Sequence, residues 1–147
     1  MILEQHYRKL ERLYVAAPTN EYYRPTISVG DGTAEIQIEI RPDFYHAASA
    51  IHGSVYFKLL DDAGFFAANS RVTDVWLLTA NFTIHLLQPV STGTLTARGR
   101  VLSSGGRQFL AEAQLFDSES QLIGHGVGTY VRSKLAVGEG LAYLPSR

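Results

Sequence analysis

Hydrophobic and polar positions along this chain change period several times, and each change marks an element. Over residues 2–15, Leu3, Leu10, Leu13 and Tyr14 recur among Glu4, Arg8, Lys9, Glu11 and Arg12, which predicts a short amphipathic helix. Pro18, Asn20 and Pro25 predict a loop after it. Gly30, Asp31 and Gly32 predict a tight turn between two strands. In the second of these, Ala34, Ile36, Ile38 and Ile40 alternate with Glu35, Gln37 and Glu39, so one face is buried and the other is wet. Residues 41–51 read as a loop, with Ser49 placed to cap the next helix. That helix should run from about His52 to Ala68, with Val55, Leu59, Leu60, Ala63, Phe66 and Ala67 on its apolar face. It is apolar around most of its circumference, which predicts that protein surrounds it. Asn69 and Ser70 supply its end.

Everything after this helix has strand character. In residues 75–87, Trp76, Leu78, Ala80, Phe82, Ile84 and Leu86 make one continuous apolar face, opposite Thr79, Asn81, Thr83 and His85. Residues 94–102 and 107–116 are two further strands joined by a hairpin loop at 103–106. A last strand at 121–132 carries Gly124, Gly126 and Gly128 at period two, a bare face that something must approach closely. Close packing of the central helix is the simpler occupant, and a ligand groove the other. The predicted architecture is α+β: one antiparallel sheet curled around the second helix, with an extra helix at the N-terminus. The pattern shows no repeat, so residues 1–147 read as one domain: an N-terminal helix and linker (1–25), a core (26–133) and a tail (134–147).

Composition narrows the function. With 147 residues, 46% of them apolar and 18% charged, the chain can bury a core and is not a disordered segment. A formal charge of −1 disfavours a dedicated nucleic-acid binder. The absence of cysteine removes disulfides, thiolate ligands and a cysteine nucleophile. Glu4, Arg8 and Lys9 interrupt the N-terminus too early for a signal-peptide apolar region, and no apolar run approaches the roughly 18 residues a membrane span needs. A soluble, cytoplasmic protein that meets neither nucleic acid nor membrane is expected. His46, His52, His85 and His125 lack the short spacing of metal-ligand pairs, so no metal is expected.

The segment from Ile51 through His52-Gly53-Ser54 to Asp61-Asp62-Ala63 resembles the central helix of hotdog-fold acyl-CoA thioesterases. It is most similar to the phenylacetic-acid-degradation type within the 4-hydroxybenzoyl-CoA thioesterase superfamily. That group shows His-Gly-Gly at the helix start and a carboxylate nine positions after the His, which here is Asp61. The resemblance continues through residues 79–89, at Gly106-Arg107 and at Gly128-Thr129-Tyr130, and covers roughly residues 26–133. Two positions depart from it. His46 stands where the family has Asn, and Ser54 replaces the second motif Gly. Both departures fall near the expected chemistry and bear on substrate choice, mechanism or loss of activity.

The resemblance implies hydrolysis of an acyl-CoA thioester, with a medium-chain or aryl acyl group, and no cofactor beyond the coenzyme A of the substrate. It also implies a homodimer, paired further into a tetramer. Physical chemistry gives each residue a role. Gly53 at a helix N-terminus offers an unpaired N–H to an oxyanion, a contact typically worth about 100- to 1,000-fold in rate. Asp61 would be the nucleophile or the base that activates water. Nine residues at about 100° each put Asp61 half a turn from His52, so the two do not converge on one helix face. In the family, the carboxylate of one subunit meets the helix N-terminus of another.

Asp62 is the rival carboxylate; it lies near the apolar face and would need partners. Either carboxylate could instead be a surface group paired with Lys58. Thr79 matches a family hydroxyl that orients water, and is otherwise an ordinary strand threonine. His52 positions the preceding loop. His46 either polarises the carbonyl or orients water, or packs with Tyr45. Tyr56, Phe57, Leu60 and the 41–51 loop, with Ser54, would line the acyl pocket. Arg107 foremost, then Arg132 and Lys134, are candidates for the phosphates of coenzyme A. Two other functions compete: a noncatalytic acyl-CoA or acyl-carrier binder, and a hotdog hydratase or dehydratase, for which the Pro-Gly often found near the His is missing.

Overall fold

A computed structural model describes residues 2–138. The first helix, α1 (Ile2–Ala16), buries His6, Tyr7, Leu10 and Tyr14, while Leu3 is exposed, so its buried stripe is set by the tyrosines. Where the pattern predicts only loop, one helical turn forms, α2 (Asn20–Tyr23); it closes at Arg24, whose φ of 53° places it in the left-handed region just before Pro25. Strands β1 (Thr26–Gly30) and β2 (Thr33–Glu39) pair across Asp31-Gly32. Gly32 has a φ of +66°, which is why the turn favours glycine; a Cβ there would also have to displace the flexible end of the Arg71 side chain.

The central helix α3 (Gly53–Asn69) starts one residue later than expected, and His52 caps it rather than Ser49. Ser49 sits in a tight turn at φ 64°, and its carbonyl accepts from the Ser91 hydroxyl. Around α3 wrap β3 (Val75–Leu86), β4 (Thr94–Gly105), β5 (Gln108–Phe116) and β6 (Leu122–Ala136). The six-stranded sheet has the order β1-β2-β4-β5-β6-β3, antiparallel throughout. The tail expected from residue 134 therefore begins as strand; residues 139–147 lie outside the described residues.

Leu59, Leu60, Ala63 and Ala67 of α3 pack on Ile36, Ile38, Leu95, Ala97, Ala113 and Leu115, all 2% exposed or less. Burying each large aliphatic side chain contributes about 1.5–3 kcal/mol against the entropy of ordering the chain. Gly99 fixes how near the helix comes, because a Cβ there would lie 2.2 Å from the Ala63 carbonyl oxygen. The bare face of β6 is filled from within. Tyr56 and Leu60 of α3 lie over Gly124, Phe82 over Gly126, and Phe82 with the Tyr130 hydroxyl over Gly128. The β4–β5 hairpin is longer than the pattern predicts: Gly105 pairs with Gln108, so the turn is Gly106-Arg107 and residues 103–105 are strand.

Two features differ from the sequence pattern in a way that builds the site. The first is β3, whose pairing with β6 slips between Val75 and Leu77 and again between Thr79 and Asn81. Each bulge re-aims the side chains that follow. Leu77 is therefore the buried residue, Leu78 is 45% exposed, and Thr79, itself exposed, turns its hydroxyl toward α3. The second is α3 itself, which is not covered all round. Ser54 and Phe57 are exposed, and Lys58, Asp61, Asp62 and Phe65 are half-buried, a stripe at helical spacing that faces away from the sheet.

Candidate active site

Asp61 and Asp62 are neighbours on α3 with different surroundings. The bulge in β3 brings the Thr79 hydroxyl to Asp61, where it donates to Oδ1 at 2.9 Å. From β6 the Tyr130 hydroxyl lies 3.2 Å from the same oxygen and 3.2 Å from the Asp61 carbonyl oxygen. Tyr130 is fully buried, and its hydroxyl occupies the space that Gly64 and Gly128 leave open. Burial pushes the Asp61 carboxyl above its ordinary pKa. The Thr79 hydrogen bond acts against that rise, adjacent Asp62 adds to it, and Tyr130 and Lys58 moderate it. Burial first, then the Asp61 charge, pushes the Tyr130 phenol up as well, so it stays a protonated donor.

Asp62 is held differently. Its Oδ2 accepts from Lys58 Nζ at 2.6 Å and from the Tyr14 hydroxyl of α1 at 2.8 Å. Lys58 is half-buried between the rings of Tyr14 and Tyr23, 5.2 and 5.0 Å from their centroids. Asp62 is thus a paired carboxylate tying the N-terminal helix to α3. Asp61 has no cation within ion-pair reach among the described residues and takes only hydroxyl donors. The two carboxylates stand in one cleft of about 360 Å³, lined also by Tyr14, Ala17, Asn20, Phe65, Leu77 and Thr79.

The N-terminus of α3 is a second, separate constellation. The His52 N–H donates to the Phe44 carbonyl at 2.8 Å, which ties the preceding loop to the helix start. Its Nδ1 receives the Ser54 N–H at 3.0 Å and lies 2.8 Å from the Ser54 hydroxyl. Ser54 thus completes the cap with His52. Among the described residues nothing accepts from the Gly53 N–H, which is left free at the positive end of the helix. His46 lies in the exposed turn before it, where its Nδ1 accepts from the Ala48 N–H at 3.0 Å. Gly53 and Asp61 are eight residues apart along one helix, about 12 Å at 1.5 Å per residue. A single chain therefore does not bring the amide donor and the carboxylate onto one substrate atom.

The remaining sequence candidates scatter. Leu60 is fully buried in the core, and Tyr56 packs on Gly124 while its hydroxyl donates to the Gln88 carbonyl at 2.6 Å; neither lines the cleft beside Asp61. Phe57 reaches the surface and makes an edge contact with Phe82. Arg132 is paired with Asp74 at 2.5 Å. Arg107 projects from the β4–β5 turn with no carboxylate partner among the described residues, and Lys134 is exposed on β6. His85 and His125 face each other across β3 and β6, and no group of three His, Asp or Glu among the described residues could hold a metal ion.

Sequence reasoning passed over Tyr130 and Tyr14 as site residues. For Tyr130 the signal was present in the glycine alternation that ends on it. For Tyr14 none exists, because its partner lies 48 residues away.

The model of the thioesterase superfamily matches residues 48–123, which include the helix cap, both carboxylates and Thr79. A candidate esterase of Saccharolobus solfataricus is 28% identical over 102 residues, covering 68% of this chain and 67% of that protein. Among solved structures, the PaaI protein from the phenylacetic acid degradation operon of Escherichia coli superposes with a TM-score of 0.82 at 19% identity, over 90% of this chain and 96% of its own. A thioesterase of Haemophilus influenzae, HI1161, superposes with a TM-score of 0.76 at 17% identity, over 86% and 90%. The fold is the hotdog fold of those neighbours, and the family match spans more than half of the residues: the chain belongs to the thioesterase superfamily.

Proposed function

We propose that this protein hydrolyses acyl-CoA thioesters with medium-chain or aryl acyl groups at a site shared between two copies of the chain. Asp61 of one copy acts on the thioester, and Gly53 of the other binds the oxyanion. The observation that carries this reading is Asp61 itself, a carboxylate with no ion-pair partner among the described residues, held by two hydroxyl donors and raised in pKa by burial. A carboxylate whose pKa is raised by burial is a stronger base than an exposed one. As base it takes a proton from water while the water oxygen attacks the carbonyl carbon. The tetrahedral oxyanion rests on the Gly53 N–H, the C–S bond breaks, and the proton passes to the departing thiolate. As nucleophile, the Asp61 carboxylate would attack the carbonyl carbon, the C–S bond would break to release the coenzyme A thiolate, and water would then hydrolyse the acyl anhydride, freeing the acid and Asp61. Thr79 and Tyr130 hold the carboxylate in either case, and His52 with Ser54 fixes the helix start that presents Gly53.

His46, exposed in the turn before that helix start, would polarise the thioester carbonyl or orient the attacking water. Arg107, unpaired on its hairpin, suits the phosphates of coenzyme A better than Arg132, whose charge is already matched by Asp74.

Thiol release from a panel of acyl-CoAs tests the proposal. The chain contains no cysteine, so a thiol reagent meets no protein background. The wild type should hydrolyse part of the panel, and Asp61→Asn should lose at least about a hundredfold in kcat/KM. Saturable binding without turnover across short, long and aromatic thioesters would instead identify an acyl-CoA binder.

A further inference from the structure

We infer that the N-terminal segment, from Tyr14 to Asn20, is the end wall of the acyl site and sets the length of the acyl group that the enzyme accepts. The inference rests on the proposal that Asp61 acts on an acyl thioester, and goes beyond it by assigning the segment outside the family match. Three observations carry it. First, the cleft at Asp61 is closed on one side by α3 and β3, through Phe65, Leu77 and Thr79, and on the other by Tyr14, Ala17 and Asn20. Second, this wall is fastened down. The Tyr14 hydroxyl is bound to Asp62, Lys58 is bound to Asp62 beneath the Tyr14 and Tyr23 rings, and the Asn20 amide donates to the Tyr14 carbonyl at 2.7 Å. Third, the cleft's charge selects which end of the substrate enters it. It holds two carboxylates, and its one cation is already matched by Asp62, so coenzyme A phosphates are repelled. Arg107 stands apart on the β4–β5 turn. What remains attractive is the aromatic and aliphatic lining, which suits an uncharged, apolar acyl group of limited length.

Ala17 is the residue on which to test this, because it is half-buried, lines the cleft and follows the last residue of α1, where a change of size leaves the helix intact. The readout is the ratio of kcat/KM for octanoyl-CoA to that for acetyl-CoA. Filling the cleft with Ala17→Leu should lower the ratio by about tenfold, the order of effect that a few carbons have where an acyl chain packs on apolar side chains. Opening it with Ala17→Gly should raise the ratio. A wall with only a structural role would change both rates by one factor, so a ratio within twofold of wild type in both variants overturns the inference. If Ala17→Leu does not fold, the Ala17→Gly ratio decides alone. If the wild type hydrolyses neither compound, thioester hydrolysis fails, and binding decides about the wall. Trp76, the single tryptophan, stacks on Phe65 at 6.2 Å and reports occupancy by fluorescence. Octanoyl-CoA affinity lowered in Ala17→Leu relative to acetyl-CoA would uphold the wall, and equal affinities or no binding would overturn it.

Discussion

Asp61, the carboxylate proposed to act on the thioester, is a liability to the fold that carries it. Its pKa is raised in the folded protein, chiefly by burial, so the folded state binds the proton more tightly than the unfolded chain does. The sign follows directly. Stability is fullest below the unfolded carboxylate pKa of about 4 and is lost as pH rises through the folded value, because ionised Asp61 is the disfavoured form. Asn cannot ionise, yet its carbonyl oxygen still accepts from Thr79 and Tyr130. Asp61→Asn should therefore melt above the wild type at pH 7.5, with the gap shrinking toward pH 4.5. Thermal midpoints of the two proteins at both pH values check this, and titrating groups remote from Asp61 cancel in the difference. A variant less stable than wild type at pH 7.5 would show that Asp61 is held by interactions that outweigh its burial. A gain in stability on losing activity is the expected trade at a site kept for chemistry.

Among the elements, α3 and the strands beneath it depend on one missing side chain. Gly99 lies on β4 against the backbone of α3, and a Cβ there would fall 2.2 Å from the Ala63 carbonyl oxygen and 2.8 Å from the Gly64 nitrogen. Both are main-chain atoms of a helix packed on several strands, so neither can move alone. Gly99→Ala should cost about 1–3 kcal/mol or more, by the usual penalty for overpacking, and urea unfolding measures it. The position was not legible in the sequence, where Gly99 is one glycine among many. The three glycines of β6 were legible, because their alternation demanded an occupant. The order of helices and strands was readable for a similar reason: period two and period 3.6 differ over a dozen residues. The bulges of β3 were not, because a single slipped residue leaves the apolar count of a strand unchanged while moving Thr79 from one face to the other. Hence the carboxylate and its spacing could be read from the chain. Thr79 was a candidate through the family resemblance alone; that its hydroxyl, after a bulge, and the Tyr130 hydroxyl, through the gap at Gly64 and Gly128, hold Asp61 depends on register and on missing Cβ atoms.

Over the whole molecule, the two edges of the sheet are treated differently. The β1 edge is capped by α1: the Val29 N–H donates to Glu11 at 2.7 Å, and Arg8 donates to the Val29 carbonyl at 2.8 Å. The β3 edge has no such cover among the described residues, and it carries Leu78 and Leu86, 45% and 54% exposed, beside Phe57 on the uncovered stripe of α3 at 42%. An unprotected edge flanked by apolar side chains is a template for pairing. Pairing two β3 edges would extend the sheet across a two-fold axis and set the uncovered stripes of two α3 helices against each other. That arrangement also answers the 12 Å problem, since an antiparallel second helix can bring its Gly53 toward the first chain's Asp61. Leu78→Glu tests it, because the side chain is exposed in the single chain and its change to a charge spares the core. In a two-fold pair the new carboxylates would be buried near each other, a costly arrangement. Light scattering should report a dimer or larger for the wild type and a monomer for Leu78→Glu, with unchanged helix and strand signals by circular dichroism. Thioester hydrolysis should fall in step with the loss of dimer. A Leu78→Glu monomer that hydrolyses at the wild-type rate would place the whole reaction within one chain, and Gly53 could then no longer be its oxyanion donor.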